Sequence, residues 1–243
     1  MRPSITSRLA AWWRRSNVVV AGSLVGAGVA LYSTRAAWGR RPPAGEDVMA
    51  HLVRLDFGIA ELVAHGRLDG WFPRFYLGYQ EFLFNGPGLA WAAAVMRAVT
   101  LGSLSNAGAL KAVGIASVVA LPAAVAFAAR GLGLGRRAAG IAAVLALLAS
   151  NVFGLGLQGL YVVGLVPHQL GAVWFFLALG ALLRIPADER ARWVLLAGVS
   201  LAALAVTHLI SLMTLAVVVL LCVPGAVRRA PGWAAPRRLA LAG

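Results

Sequence analysis

The chain has 243 residues, of which 60% are hydrophobic and 12% charged, and it carries a net charge of +14. Soluble domains carry about 25% charged residues, so this composition argues against a water-soluble globule and for an integral membrane protein. The positive charge does not point to nucleic acid, because the arginines stand in short clusters between apolar runs rather than along one face.

From the N-terminus, Arg2, Arg8, Arg14 and Arg15 precede an apolar run over 17–34. No small-x-small cleavage site leads from that run into a polar mature region, so it reads as a retained signal-anchor helix with a cytoplasmic N-terminus. A polar loop follows, from 35 to about 105. It holds six of the eight acidic residues: Glu46, Asp47, Asp56, Glu61, Asp69 and Glu81.

Within this loop Pro42, Pro43 and Gly45 break the chain. Val48, Leu52, Leu55, Ile59 and Leu62 then recur at three and four residues, which predicts a helix from Glu46 to His65 with one apolar stripe. Asp47, His51, Arg54, Gly58, Glu61 and His65 form a polar stripe beside it. Asp47 and His51 are one turn apart, within reach of a side-chain hydrogen bond. The next stretch has glycine or proline every few residues, among Trp71, Phe72, Phe75, Tyr76 and Tyr79. It reads as a shaped, non-helical segment, either a simple aromatic belt at headgroup level or a groove for a lipid-linked or glycan substrate. Arg74 amid these aromatics is a candidate phosphate ligand.

Five further apolar runs lie at about 106–129, 138–153, 169–183, 193–207 and 209–225. Arg130, Arg136 and Arg137 separate the first two, Arg184, Arg190 and Arg192 precede 193–207, and Arg228, Arg229, Arg237 and Arg238 follow the last. With the N-terminal group, 14 of the 22 basic residues then fall inside, and six helices cross with both ends cytoplasmic. The segment 86–103 is the exception among apolar stretches. A crossing there would put Arg130, Arg136 and Arg137 outside, and Arg97 near its middle costs about 2.5–3.5 kcal/mol on insertion scales. It reads as a half-embedded helix of the outer loop.

The expected fold is therefore all-α and polytopic, one transmembrane domain over 1–243 with a long first extracytoplasmic loop. The chain ends after a basic cluster as though another helix were starting, which suggests the N-terminal part of a longer protein. All four histidines, His51, His65, His168 and His208, fall on the outer side or its boundary. No pair of ligands has zinc-like spacing with a supporting carboxylate, so no metal site is expected. The single Cys222 leaves no internal disulfide or cysteine zinc site.

The run G-E-D-x-x-x-H at 45–51, then G-R-L-D-G-W-F-P-R and G-Y-Q-x-F-x-x-N-G-P-G, resembles the first outer loop of GT-C-type membrane glycosyltransferases. It is similar above all to a bacterial branch labelled "6-pyruvoyl-tetrahydropterin synthase-related". V-P-H-Q-L-G and T-H-L-I-S-L-M also fit that branch, and the resemblance covers roughly 15–225. It implies a multi-pass protein of the bacterial plasma membrane. The implied reaction moves a sugar from a polyprenyl-phosphate donor to a glycan, lipid or protein acceptor on the outer face. It assigns the catalytic carboxylate to Asp47, with Glu46 as second choice and His51 beside them. Arg54, Arg74, Tyr79, Gln80, His168, Gln169 and His208 become candidate substrate-binding residues. Metal-dependent members carry acidic residues in the second outer loop. This chain has Pro167, His168 and Gln169 there, so no metal or other cofactor is expected. The alternatives are a non-catalytic membrane scaffold of the same fold, or a lipid or glycan transporter. The transporter reading is disfavoured because the last four runs carry no ionisable residue mid-span.

Overall fold

The computed structural model describes residues 5–39, 45–67, 70–73, 78–81, 86–149, 156–186 and 190–229. It is all-α apart from two three-residue strands. In chain order the elements are α1 (Ile5–Ser33), a 3₁₀ turn (Arg35–Trp38), α2 (Val48–His65), β1 (Gly70–Phe72), β2 (Tyr79–Glu81) and α3 (Gly88–Val99). They continue with α4 (Asn106–Gly131), α5 (Arg136–Leu145), the single turn α6 (Gly156–Gln158), a π-helical turn (Gly159–Val163), α7 (Val166–Leu182), α8 (Ala191–Thr207) and α9 (Leu209–Arg229).

Helix α4 is the centre of the bundle. It packs along α7 on one side and along α1 and α5 on the other, and α8 and α9 complete the bundle against α7. Small residues let these helices approach closely. A Cβ on Gly22 of α1 would stand 2.3 Å from the Gly140 carbonyl oxygen of α5, and one on Gly180 of α7 would stand 2.5 Å from the Phe127 ring of α4. Only α4 is both long and apolar enough to cross a bilayer among the described residues; the apolar stretches Asn17–Ser33, Val166–Leu182, Ala191–Thr207 and Leu209–Cys222 are shorter.

The helix ends sort into two groups. At one end Arg184, after α7, lies over the Phe127 ring at 3.9 Å and donates to the Phe127 carbonyl at 2.9 Å, with Trp193 of α8 beside it at 5.4 Å. At the other end lie the first loop, the starts of α4, α7 and α9, and the end of α8.

Two boundaries differ from the sequence expectation. The helical part of 86–103 is confined to Gly88–Val99, because Leu101 and Gly102 take left-handed φ values of +50° and +77°. Arg97 thus sits in the last turn of α3 rather than mid-helix. Its Nη1 donates to Asn106 Oδ1 at 2.6 Å, and Asn106 Nδ2 donates to Asp56 Oδ1 at 2.6 Å, so the guanidinium joins a polar knot linking α2, α3 and α4. The run 138–153 is helical only to Leu145, beyond which the chain turns; 150–153 lie outside the described residues.

The close α1–α5 contact is testable. Gly22→Val forces the two backbones apart and is expected to cost about 1–3 kcal/mol of stability, the usual range for overpacking. Gly28, with nothing within 4 Å of its would-be Cβ, serves as the control and Gly28→Val should leave thermal unfolding in detergent unchanged. Equal behaviour of the two variants would contradict the packing.

Candidate functional site: a cationic cavity under the first loop

The site begins at Gly45. Its φ of +131° suits glycine, and a Cβ there would stand 2.5 Å from the Cα of Gly164, itself at φ +77°. With both side chains absent, the Glu46 N–H donates to Val162 O at 3.1 Å and the Asp47 N–H to Val163 O at 2.8 Å. These bonds pin the start of α2 onto the π-helical turn. The stripe read from sequence then turns inward. Val48, Leu55 and Ile59 are buried against Leu89, Ala93, Leu110 and Val113 of α3 and α4, with Leu52 and Leu62 partly buried beside them.

The start of α3 docks in the same way. A Cβ on Gly86 would meet the Val206 carbonyl oxygen at 1.9 Å and one on Gly88 the Thr207 Oγ1 at 2.3 Å, so Gly86–Gly88 lie directly on the end of α8. There a single residue, His208, interrupts the helix with extended backbone (φ −155°, ψ 92°), and α9 begins at the next position.

Between these parts lies a cavity of about 150 Å³. Engineered cavities of that size hold one benzene-sized ring. His51 and Arg54 border it from α2, His168 from the first turn of α7, and His208 from the α8–α9 break. Leu89 and Ala90 of α3, Pro167 of α7, and Leu209 and Ile210 of α9 belong to first helical turns and also line it. Three helix N-termini therefore meet at one cavity, each with the equivalent of about half a positive charge. At α7 the Val166 and His168 N–H groups are already bonded to Gly164 O and Leu165 O, and Pro167 has no N–H, so amides open to a ligand come from the starts of α3 and α9. No Asp or Glu stands among the described residues lining it.

The imidazoles here are neutral at pH 7. Burial brings His51 down to about 4; the Arg54 guanidinium pushes the same way and Asp47 opposes it. His208 is also lowered to about 4, by burial and then by His168 beside it. The His168 and His208 rings meet edge to face with centroids 4.7 Å apart. His51 Nε2 is sealed from solvent and has no hydrogen-bond partner.

The structure thus brings together His51, Arg54, His168 and His208. Asp47, half-buried as the N-cap of α2, is one turn from His51 but does not line the cavity, and its carboxylate is not hydrogen-bonded to the imidazole. The bond between these residues is the helical one, His51 N–H to Asp47 O at 3.0 Å. Glu46 is exposed. Gln169 is buried, and its Nε2 donates to Gly156 O at 3.1 Å, which supports the turn before α7. Gln80 lies on the exposed hairpin opposite Trp71, away from the cavity. Arg74, Phe75, Tyr76 and the Tyr79 side chain lie outside the described residues. Gly86, Thr207 and the three helix starts were not among the sequence candidates. N-G-P-G before an apolar run, a proline at the second helical position of α7, and a lone histidine between two apolar runs were the available signals. No protein-family model, curated protein or solved structure matches this chain.

The buried imidazoles give a pH dependence. Folded His51 and His208 take up protons only near pH 4, whereas unfolded imidazoles do so near 6.5. Between those values the unfolded chain binds more protons, so stability falls as pH drops. Thermal unfolding in detergent is expected to shift downward from pH 7 to 5, with a shallower slope in His51→Gln. Identical slopes would contradict the buried neutral state of His51.

Proposed function

We propose that this chain is part of a membrane glycosyltransferase that moves a sugar from a polyprenyl-phosphate donor to an acceptor hydroxyl on the outer face. The observation that carries the reading is the cavity: one guanidinium, three neutral imidazoles and three helix N-termini, with no carboxylate among the described residues that line it. That is the arrangement for an anion, and a phosphate at converging helix starts is the commonest occupant of such sites. The motifs of the first loop, which resemble GT-C-type enzymes, make that phosphate the leaving group of a lipid-linked sugar.

The membrane setting rests on the two-ended sorting of the helices and on apolar side chains turned outward. Leu24 of α1, Leu195 of α8 and Leu220 of α9 are 67, 69 and 74% exposed. In this reading α1, α4, α5, α7, α8 and α9 cross the bilayer and the N-terminus is cytoplasmic. Helix α5 is about 15 Å long at 1.5 Å per residue. Helix α3, about 18 Å by the same rise, belongs to the outer loop.

The chemistry is an inverting displacement. The acceptor oxygen bonds to the anomeric carbon as the carbon–oxygen bond to phosphate breaks. The acceptor proton passes to a carboxylate, and polyprenyl phosphate leaves. Arg54 and the first-turn amides of α3 and α9 stabilise the departing phosphate, supplying the positive charge for which other enzymes use a metal. Asp47, beside the cavity at the start of α2, is the base, because a histidine with a pKa near 4 is a poor one at neutral pH. Glu46 is the alternative base.

The test is transfer from radiolabelled polyprenyl-phosphate sugars in membranes holding the full-length protein. Asp47→Asn is expected to reduce transfer by about 10²–10⁴-fold at unchanged protein level. Arg54→Ala should reduce both transfer and binding of the lipid phosphate. Full activity in Asp47→Asn would move the base elsewhere, and no transfer from any donor would favour a non-catalytic scaffold.

A further inference from the structure

His208 has two structural duties before any chemical one. Its main chain ends α8, through its N–H to Leu204 O at 2.8 Å, and starts α9, through Leu212 N–H to its own carbonyl at 3.2 Å. Its ring then acts as the N-cap of α9, a place usually taken by Ser, Thr, Asp or Asn. The Ser211 N–H donates to His208 Nδ1 at 3.2 Å, and Ser211 Oγ lies 2.8 Å from the same nitrogen. Ser211 is buried and does not line the cavity.

An amide N–H can only donate, so the ring nitrogen that receives it bears a lone pair. A neutral imidazole with an unprotonated Nδ1 carries its proton on Nε2. The opposite tautomer would set two N–H groups against each other at the start of α9. We propose that the first turn of α9 locks His208 as its Nε2–H tautomer, so that it binds the phosphate of the donor as a neutral hydrogen-bond donor and cannot serve as the base. This rests on the phosphate reading of the cavity and names the atom that meets the phosphate. It also sharpens the role of Asp47: with Nε2 protonated, the one lone pair of His208 is on Nδ1, where the Ser211 N–H already occupies it.

Two variants separate the duties. In His208→Asn the side-chain oxygen can accept the Ser211 N–H as Nδ1 does, but the group is too short to reach the place of Nε2. His208→Gln reaches that place with an amide N–H but loses the cap. The chain has four histidines, so ¹⁵N-histidine NMR in detergent can be assigned by single substitutions. The expected spectrum shows His208 protonated at Nε2 alone, with that nitrogen shifting on addition of farnesyl phosphate. His208→Asn should keep the wild-type unfolding temperature but bind farnesyl phosphate about ten- to a hundred-fold more weakly, the effect of one hydrogen bond to a charged group. His208→Gln should unfold at lower temperature yet retain most of the binding. A proton on Nδ1, or unchanged binding in His208→Asn, overturns the inference while leaving the phosphate site to Arg54. An Nε2–H tautomer in a protein that binds no farnesyl phosphate, with or without the Arg54→Ala change, overturns the phosphate reading and the donor role together.

Discussion

Two glycines from distant parts of the chain, Gly45 and Gly164, meet without side chains between them, and the rest of the site depends on that contact. It lets the amides of Glu46 and Asp47 bond to the carbonyls of the π-helical turn. Those bonds set where α2 starts and which way it runs. The burial of Val48, Leu55 and Ile59 then sets its rotation, and the rotation places His51 and Arg54 over the starts of α7 and α9. A side chain at either glycine would push α2 off the turn and open the cavity. The start of α3 repeats the device on the other side, where Gly86 and Gly88 lie against Val206 and Thr207.

Charge is arranged around α2 with equal economy. The face toward the cavity presents His51 and Arg54, while Asp56 and Glu61 lie along a separate groove against Trp71 and Phe72. Asp56 is tied through Asn106 to Arg97, and Glu61 lies 3.8 Å from His65 and 4.0 Å from Arg67. These two carboxylates are thus held in contacts outside the cavity, where a negative charge would work against the guanidinium and the helix starts. Asp47 is close enough to act on His51 electrostatically yet is not among the described residues of the lining. That position suits a group that meets the acceptor rather than the phosphate.

Much of this was legible in the sequence. The three- and four-residue recurrence from Val48 to Leu62 marked α2 and its buried stripe, since a helix half-covered by protein must segregate its side chains. The arginine clusters marked helix ends, and the histidines of V-P-H-Q-L-G and T-H-L-I-S, which open or close apolar runs, have ring centroids 4.7 Å apart. What could not be read was distance. Asp47 and His51 looked like a hydrogen-bonded pair at one-turn spacing, but the cap position holds one carboxylate at the helix start while burial turns the imidazole into the cavity. Gln169 looked like a ligand, but its amide supports the Gly156 turn. The meeting of three helix starts depends on glycine contacts between segments more than a hundred residues apart, which no local pattern records.

The account turns on the phosphate of a lipid-linked donor occupying the cavity beneath α2. A structure of the full-length protein determined with a polyprenyl-phosphate sugar bound tests this most directly. The account predicts the phosphate between the Arg54 guanidinium and the first turns of α3, α7 and α9, with the sugar extending toward Asp47. A phosphate bound elsewhere, with the cavity filled by the protein's own side chains, would contradict it.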